Sequence, residues 1–167
     1  HEVPLIFNPR QRPLIQYSKL PAPYHQQPWF FSLTHTRGMA AWTLAQNPVG
    51  IDLEDDSPRL NVRDYARDYC SQPEWLKLAF IEEERDFVDL FRKIWVMKEA
   101  HFKMGVTESS DSFQKTAFTF HEDRVWCEWL GPERFGGSCY LMNPSPQYLL
   151  GLVCLTGEKL EPIIIKA

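Results

Sequence analysis

Residues 48 to 58 read PVGIDLEDDSP, and the run Val49-Gly50-Ile51-Asp52-Leu53-Glu54 inside them decides how the rest is organised. An apolar lead followed by strict alternation predicts a strand whose two acids, Asp52 and Glu54, share one face while Leu53 takes the other. Residues two apart in a strand stand roughly 7 Å from each other. At an effective dielectric of about 20, two full charges at that distance repel by about 2 kcal/mol, so something positive belongs between them. Taken alone, the pair also fits the solvated end of a surface strand.

Upstream, Trp29 to Thr34 and Met39 to Ala45 have the composition of short strands, and Gln46-Asn47-Pro48 suits a turn. Together with Val49 to Glu54 they predict a small β-meander that ends on the acids. Residues 1 to 28 are proline-rich and predict extended strand and loop, because proline offers no ladder donor and disfavours helix in its predecessor.

Downstream, Ser57-Pro58 predicts a helix N-cap with proline at the first helical position and a helix to about Tyr69. Ser71-Gln72-Pro73-Glu74 fits a capping box that opens a second helix through Trp75, Leu76 and Phe80. A third helix is predicted from about Asp86 to Met104, with Phe87, Leu90, Phe91, Ile94 and His101 on one face and Gly105 as its stop. Strands are then predicted at Phe113 to Phe120, Arg124 to Leu130, Gly137 to Met142 and Tyr148 to Leu155, with an edge strand at Pro162 to Lys166. Helices followed by an antiparallel sheet make the class α+β.

The 167 residues, 44% apolar and 14% aromatic, suffice for one compact domain or two small subdomains sharing a core. A formal net charge of −4 argues against broad binding to nucleic acid. No stretch approaches the roughly 20 apolar residues that span a bilayer, and the opening HEVPLIFNPRQRPL lacks a secretory pattern. These features predict a cytoplasmic protein without a membrane partner. The chain opens at a histidine rather than a methionine, which predicts that it starts inside a longer gene product or a tagged one. Cys70, Cys127, Cys139 and Cys154 form no Cys-x-x-Cys pair and read as free thiols.

Two further clusters bear on the acids. In the third helix Glu99 and Lys103 lie four apart, one turn from each other on the same face; at that spacing they also fit an ordinary surface ion pair. A third carboxylate near Asp52 and Glu54 would complete the oxygen-rich side of a Mg²⁺ site, whose other positions go to water and phosphate oxygens. The second cluster, Thr34-His35-Thr36 at the end of the first strand, offers hydroxyls and an imidazole to a phosphate, and equally suits a plain strand-end turn.

Thr34-His35-Thr36, Gly50-Ile51-Asp52-Leu53-Glu54 and Trp95-x-x-Lys98-Glu99-Ala100-x-x-Lys103, in that order, resemble the motifs of the 4′-phosphopantetheinyl transferases, in particular the Sfp-type branch. His35 to Asp52 is 17 positions and Asp52 to Glu99 is 47, similar to the family's spacing, and Tyr69-Cys70-Ser71-Gln72-Pro73-Glu74 resembles its aromatic-Ser-x-x-Glu segment. The resemblance covers about residues 11 to 155. It implies the family's fold of antiparallel sheets and packed helices in two pseudo-symmetric subdomains. Residues 1–51 would be the remainder of an incomplete N-terminal subdomain, and residues 52–167 a C-terminal subdomain with the metal site.

The implied reaction moves the phosphopantetheine arm of coenzyme A to a serine of an apo acyl or peptidyl carrier protein and releases adenosine 3′,5′-bisphosphate. By resemblance, Asp52, Glu54 and Glu99 hold Mg²⁺ or Mn²⁺, Glu99 accepts the serine proton, Lys103 neutralises the departing phosphate and Lys98 assists. Arg12, Thr34 and His35 match positions on the coenzyme. A monomer is implied if upstream residues are missing from the chain, and otherwise a homo-oligomer that completes the site. Arg59, Arg63 and Arg67 form a helical stripe suited to an acidic carrier, or else a solvated face paired with Asp64 and Asp68. Two rival readings are another Mg²⁺-dependent phosphotransferase or nuclease, and a catalytically degenerate binder of coenzyme A or carrier.

Overall fold

The computed structural model describes residues 4–8, 13–22, 24–57, 61–105, 112–121, 124–130 and 137–155. Strands β1 (Leu5–Phe7) and β2 (Pro13–Ile15) form a short antiparallel pair, followed by two single 3₁₀ turns, as the prolines require. Strands β3 (Phe30–Thr36) and β4 (Met39–Ala45) make a hairpin, and β5 (Val49–Asp55) carries the acids. Helices α1 (Val62–Tyr69), α2 (Gln72–Ala79) and α3 (Glu84–Met104) and a single turn α4 (Ser112–Lys115) follow. Strands β6 (Thr116–His121), β7 (Arg124–Trp129), β8 (Ser138–Ser145) and β9 (Tyr148–Cys154) complete an antiparallel sheet in the order β5-β9-β8-β7-β6. This is the expected α+β architecture. No helix of the described residues is long and apolar enough to cross a membrane.

The expected meander is not what forms. Strand β5 leaves β4 and pairs with β9, Asp52 opposite Gly151 and Glu54 opposite Leu149, while β3 and β4 remain a two-stranded sheet of their own. The reason is burial on both faces. Val49, Ile51 and Leu53 pack with Leu150, Leu152 and Cys154 on one side, where Phe30, Met39 and Ala41 of the hairpin cover them. On the other side Leu149 and Val153 meet Val96, Met97, Ala100 and Met104 of α3. A strand with a layer on each face gains most by joining the larger sheet.

Two boundaries shift for local reasons. Helix α1 starts at Val62 instead of near Pro58: its N-cap is Asn61, in the left-handed region at φ 57°, and the Ser57 N–H is turned back to the Asp55 carboxylate. Pro58 and the tail at 162–166 lie outside the described residues. The strand expected from Phe113 begins only at Thr116, because residues 112 to 115 form a helical turn in which the Phe113 carbonyl is held by a lysine of α3. Helix α2 starts as expected, with the Glu74 carboxylate accepting the Ser71 N–H at 2.8 Å.

Helix α3 is seated by two glycines. A Cβ on Gly50 would lie 1.9 Å from the Ala100 carbonyl oxygen, and one on Gly151 would lie 2.9 Å from that of Val96. Backbone therefore meets backbone, and no side chain could be inserted without lifting the helix. Gly50→Ala is expected to cost about 3 kcal/mol or more, at the upper end of overpacking. Urea denaturation measures it, and an alanine tolerated within about 0.5 kcal/mol would contradict the seating.

Candidate active site

The alternation of β5 fixes where its acids go. Gly50 faces α3, so Asp52 and Glu54, two and four residues on, face the same way. Both are buried, at 4% and 9% exposure, so the solvated strand end is ruled out and their charge must be compensated nearby. For Asp52 the compensating group is Lys103, whose Nζ donates to Oδ1 at 2.6 Å. The repulsion anticipated between the two acids is thus relieved by a lysine from the end of α3.

Strand β3 supplies the second contact through its side chains. Its inward positions are Ser32, Thr34 and Thr36. The Ser32 hydroxyl accepts the Ile51 N–H at 3.1 Å, Thr34 donates to Asp52 Oδ1 at 3.1 Å, and Thr36 donates to Asp55 Oδ2 at 3.0 Å. Lys103 also donates to the Thr34 hydroxyl at 3.3 Å, so Thr34, Asp52 and Lys103 close a three-membered network drawn from three distant segments. Hydrogen bonds from Ser57 and Thr36 hold the Asp55 carboxyl below its usual range. Asp52 Oδ2 is buried and has no hydrogen-bond partner among the described residues.

Glu99 is half-buried one turn before Lys103 on the same side of α3. Even so, no three His, Cys, Asp or Glu side chains among the described residues are gathered tightly enough to hold a metal ion. The donor set is nonetheless all carboxylate, and Asp52 presents an unsatisfied oxygen. That suits a hard divalent ion taking only part of its shell from protein and the rest from water and a phosphorylated ligand.

Two other candidates, His35 and Lys98, lie elsewhere. His35 projects to solvent from the side of β3 opposite Thr34, and Arg12 is outside the described residues. Lys98 is fully buried, with its ammonium 2.7 Å from Glu74 Oε2, 2.6 Å from the Thr116 carbonyl and also on the Phe113 carbonyl. An ammonium has three N–H donors and these contacts use all of them, which gives Lys98 a structural task in this arrangement. Glu74 in turn accepts the Phe118 N–H at 2.8 Å and the Ser71 hydroxyl at 2.7 Å. The capping-box motif named Glu74, but not its second partner, since nothing local in sequence says that residues 74 and 98 meet.

Neighbouring titratable groups are silenced by the same enclosure. Burial, assisted by the Lys98 charge, pushes the His101 imidazole down to about 4, and burial with the Glu74 charge pushes the Cys70 thiol up to about 12. At neutral pH His101 is therefore an uncharged imidazole and Cys70 a protonated thiol. All four cysteines are free, as expected. The arginine stripe is largely matched by acids: Arg63 meets Glu84 at 2.8 Å and lies 4.0 Å over the Phe87 ring, and Arg67 meets Asp64 at 3.1 Å. Arg59 is outside the described residues.

With this geometry in view, similarity to known proteins takes on meaning. The family model described as ACPS, 4′-phosphopantetheinyl transferase superfamily, matches residues 48–152, from the start of β5 through most of β9. The chain belongs to the 4′-phosphopantetheinyl transferase superfamily. Among solved structures, Thermotoga maritima holo-[acyl-carrier-protein] synthase (AcpS) is similar at 21% identity and a TM-score of 0.48, over 67% of this chain and 64% of that one. The similarity thus spans less than two thirds of that protein's length. No curated protein matches the sequence.

The two lysines of α3 are separable by stability. Lys98→Met strands a buried carboxylate and is expected to cost about 3–5 kcal/mol. Lys103→Met also takes the cation from the buried Asp52, but at a side chain 31% exposed and with the Thr34 hydrogen bond retained it is expected to cost less, about 1–3 kcal/mol. Equal losses in urea denaturation would reject this division of roles.

Proposed function

We propose that the protein transfers the 4′-phosphopantetheine arm of coenzyme A to a serine hydroxyl of an apo acyl or peptidyl carrier protein, releasing adenosine 3′,5′-bisphosphate. Membership of the family supports this reading. The observation that carries it is the convergence of Thr34, Asp52 and Lys103 around a buried carboxylate with one oxygen unused.

In this reading Asp52, Glu54 and Glu99 are the residues that would hold Mg²⁺, or Mn²⁺ in its place, and the ion would supply charge neutralisation on the coenzyme diphosphate. The chain's own groups do the rest. Glu99 accepts the serine proton as the serine oxygen forms its bond to the phosphorus bearing pantetheine and the bond to the bridging oxygen breaks. Lys103 delivers positive charge to the departing phosphate, where positioning and charge neutralisation dominate the barrier. Thr34 orients Asp52 and Lys103 instead of contacting the coenzyme directly, while His35 is left to the coenzyme's outer phosphate. The helices between Asp52 and Glu99 favour the Sfp-type branch.

The test incubates the full-length protein with Mg²⁺, coenzyme A and several apo carriers and looks for the added arm by intact mass spectrometry. Glu99→Gln is expected to slow transfer by about 10²–10⁴-fold, the usual worth of a general base. Wild-type protein that leaves every carrier unmodified, or that degrades nucleic acid without coenzyme A, would overturn the reading. A Glu99→Gln variant as fast as wild type would overturn the role of Glu99.

A further inference from the structure

In the arrangement described, Asp52 already has a cation. Lys103 Nζ lies 2.6 Å from Asp52 Oδ1 and 3.3 Å from the Thr34 hydroxyl, whereas Oδ2 of the same carboxylate is buried without a partner among the described residues. The two partners differ in freedom. The Asp52 side chain is 6% exposed and fixed in a central ladder position, but that of Lys103 is 31% exposed at the end of a flexible stem in the last turn of α3. The lysine head can swing out without disturbing packing; the carboxylate cannot follow it.

We propose, resting on the reading above, that Lys103 is a displaceable internal counter-ion that keeps the acid site closed to free divalent metal until the coenzyme arrives. A divalent ion approaching alone must share Asp52 with an ammonium of like sign, which opposes its entry. A diphosphate offers that ammonium a better partner, drawing Lys103 off Asp52 and exposing the oxygen it covered. Metal and coenzyme therefore enter cooperatively, and by thermodynamic reciprocity each raises the affinity of the other by the same factor. Idle protein is thereby spared a tightly held ion with no substrate to act on.

Binding of Mn²⁺ tests this without any turnover. Free Mn²⁺ is followed by electron paramagnetic resonance while it is titrated into wild-type protein, Lys103→Met and Lys77→Met, each with and without coenzyme A. Lys77 is an exposed lysine of α2 that reaches Thr119, so its variant removes the same charge away from the acids. The expected result is that Lys103→Met binds Mn²⁺ alone about tenfold tighter than wild type, within the usual span of coupling between sites. Lys77→Met should leave that affinity unchanged, and the gain on adding coenzyme A should shrink in Lys103→Met alone. Folded Lys103→Met that binds Mn²⁺ no tighter than wild type, or a gain shared equally by Lys77→Met, overturns the counter-ion role. If wild-type protein takes up no Mn²⁺ even with coenzyme A, the metal reading beneath it falls as well.

Discussion

Everything in this fold is placed by the contact of α3 with the sheet at Gly50 and Gly151, where the Ala100 and Val96 carbonyls rest against bare backbone. A helix that close cannot rotate or slide without a clash. Its last turn is therefore held beside β5, and Lys103 falls on Asp52 while Glu99 falls one turn earlier. The acids of β5 and the Glu99 and Lys103 side chains of α3 are 45 or more residues apart in sequence, yet two missing side chains help to register them.

A second constraint keeps the other side of α3 in place. The buried Glu74–Lys98 pair ties the start of α2, the middle of α3 and the head of β6 at one point, with Ser71 and Phe118 completing the carboxylate's hydrogen bonds. A buried ion pair is not in itself a large source of stability, and its value here is directional. Of two lysines five residues apart on one helix, Lys98 points into the body of the protein and is fully consumed, whereas Lys103 points to the acids and keeps partial access to water. The same residue type thus closes a buried network at one position and meets a buried acid at the edge of solvent at the other.

Much of this was legible in the residues, and the parts that were not share a physical cause. Periodicity named the helices and most strands because each depends on its own neighbours, and the capping box at Ser71 is local in the same sense. The pairing of β5 was misread because adjacency in sequence favours a meander, while the choice between β4 and β9 turns on which sheet buries both faces of Val49–Asp55. Motif spacing brought Thr34, Asp52, Glu99 and Lys103 to notice. It gave no means of telling that Lys98 would be buried and His35 exposed, since strand parity and helix azimuth relative to a partner are tertiary facts. A glycine in each of two apolar strands was the overlooked signal of close helix approach.

The seam between the hairpin and the main sheet is stitched by Ser32, Thr34 and Thr36, and no backbone ladder crosses it. Hydroxyl stitches are individually weak, directionally tolerant and replaceable by water. They set the hairpin's register, while Phe30, Met39 and Ala41 roof Val49, Ile51 and Leu53, so removing the hairpin would wet the core beneath it.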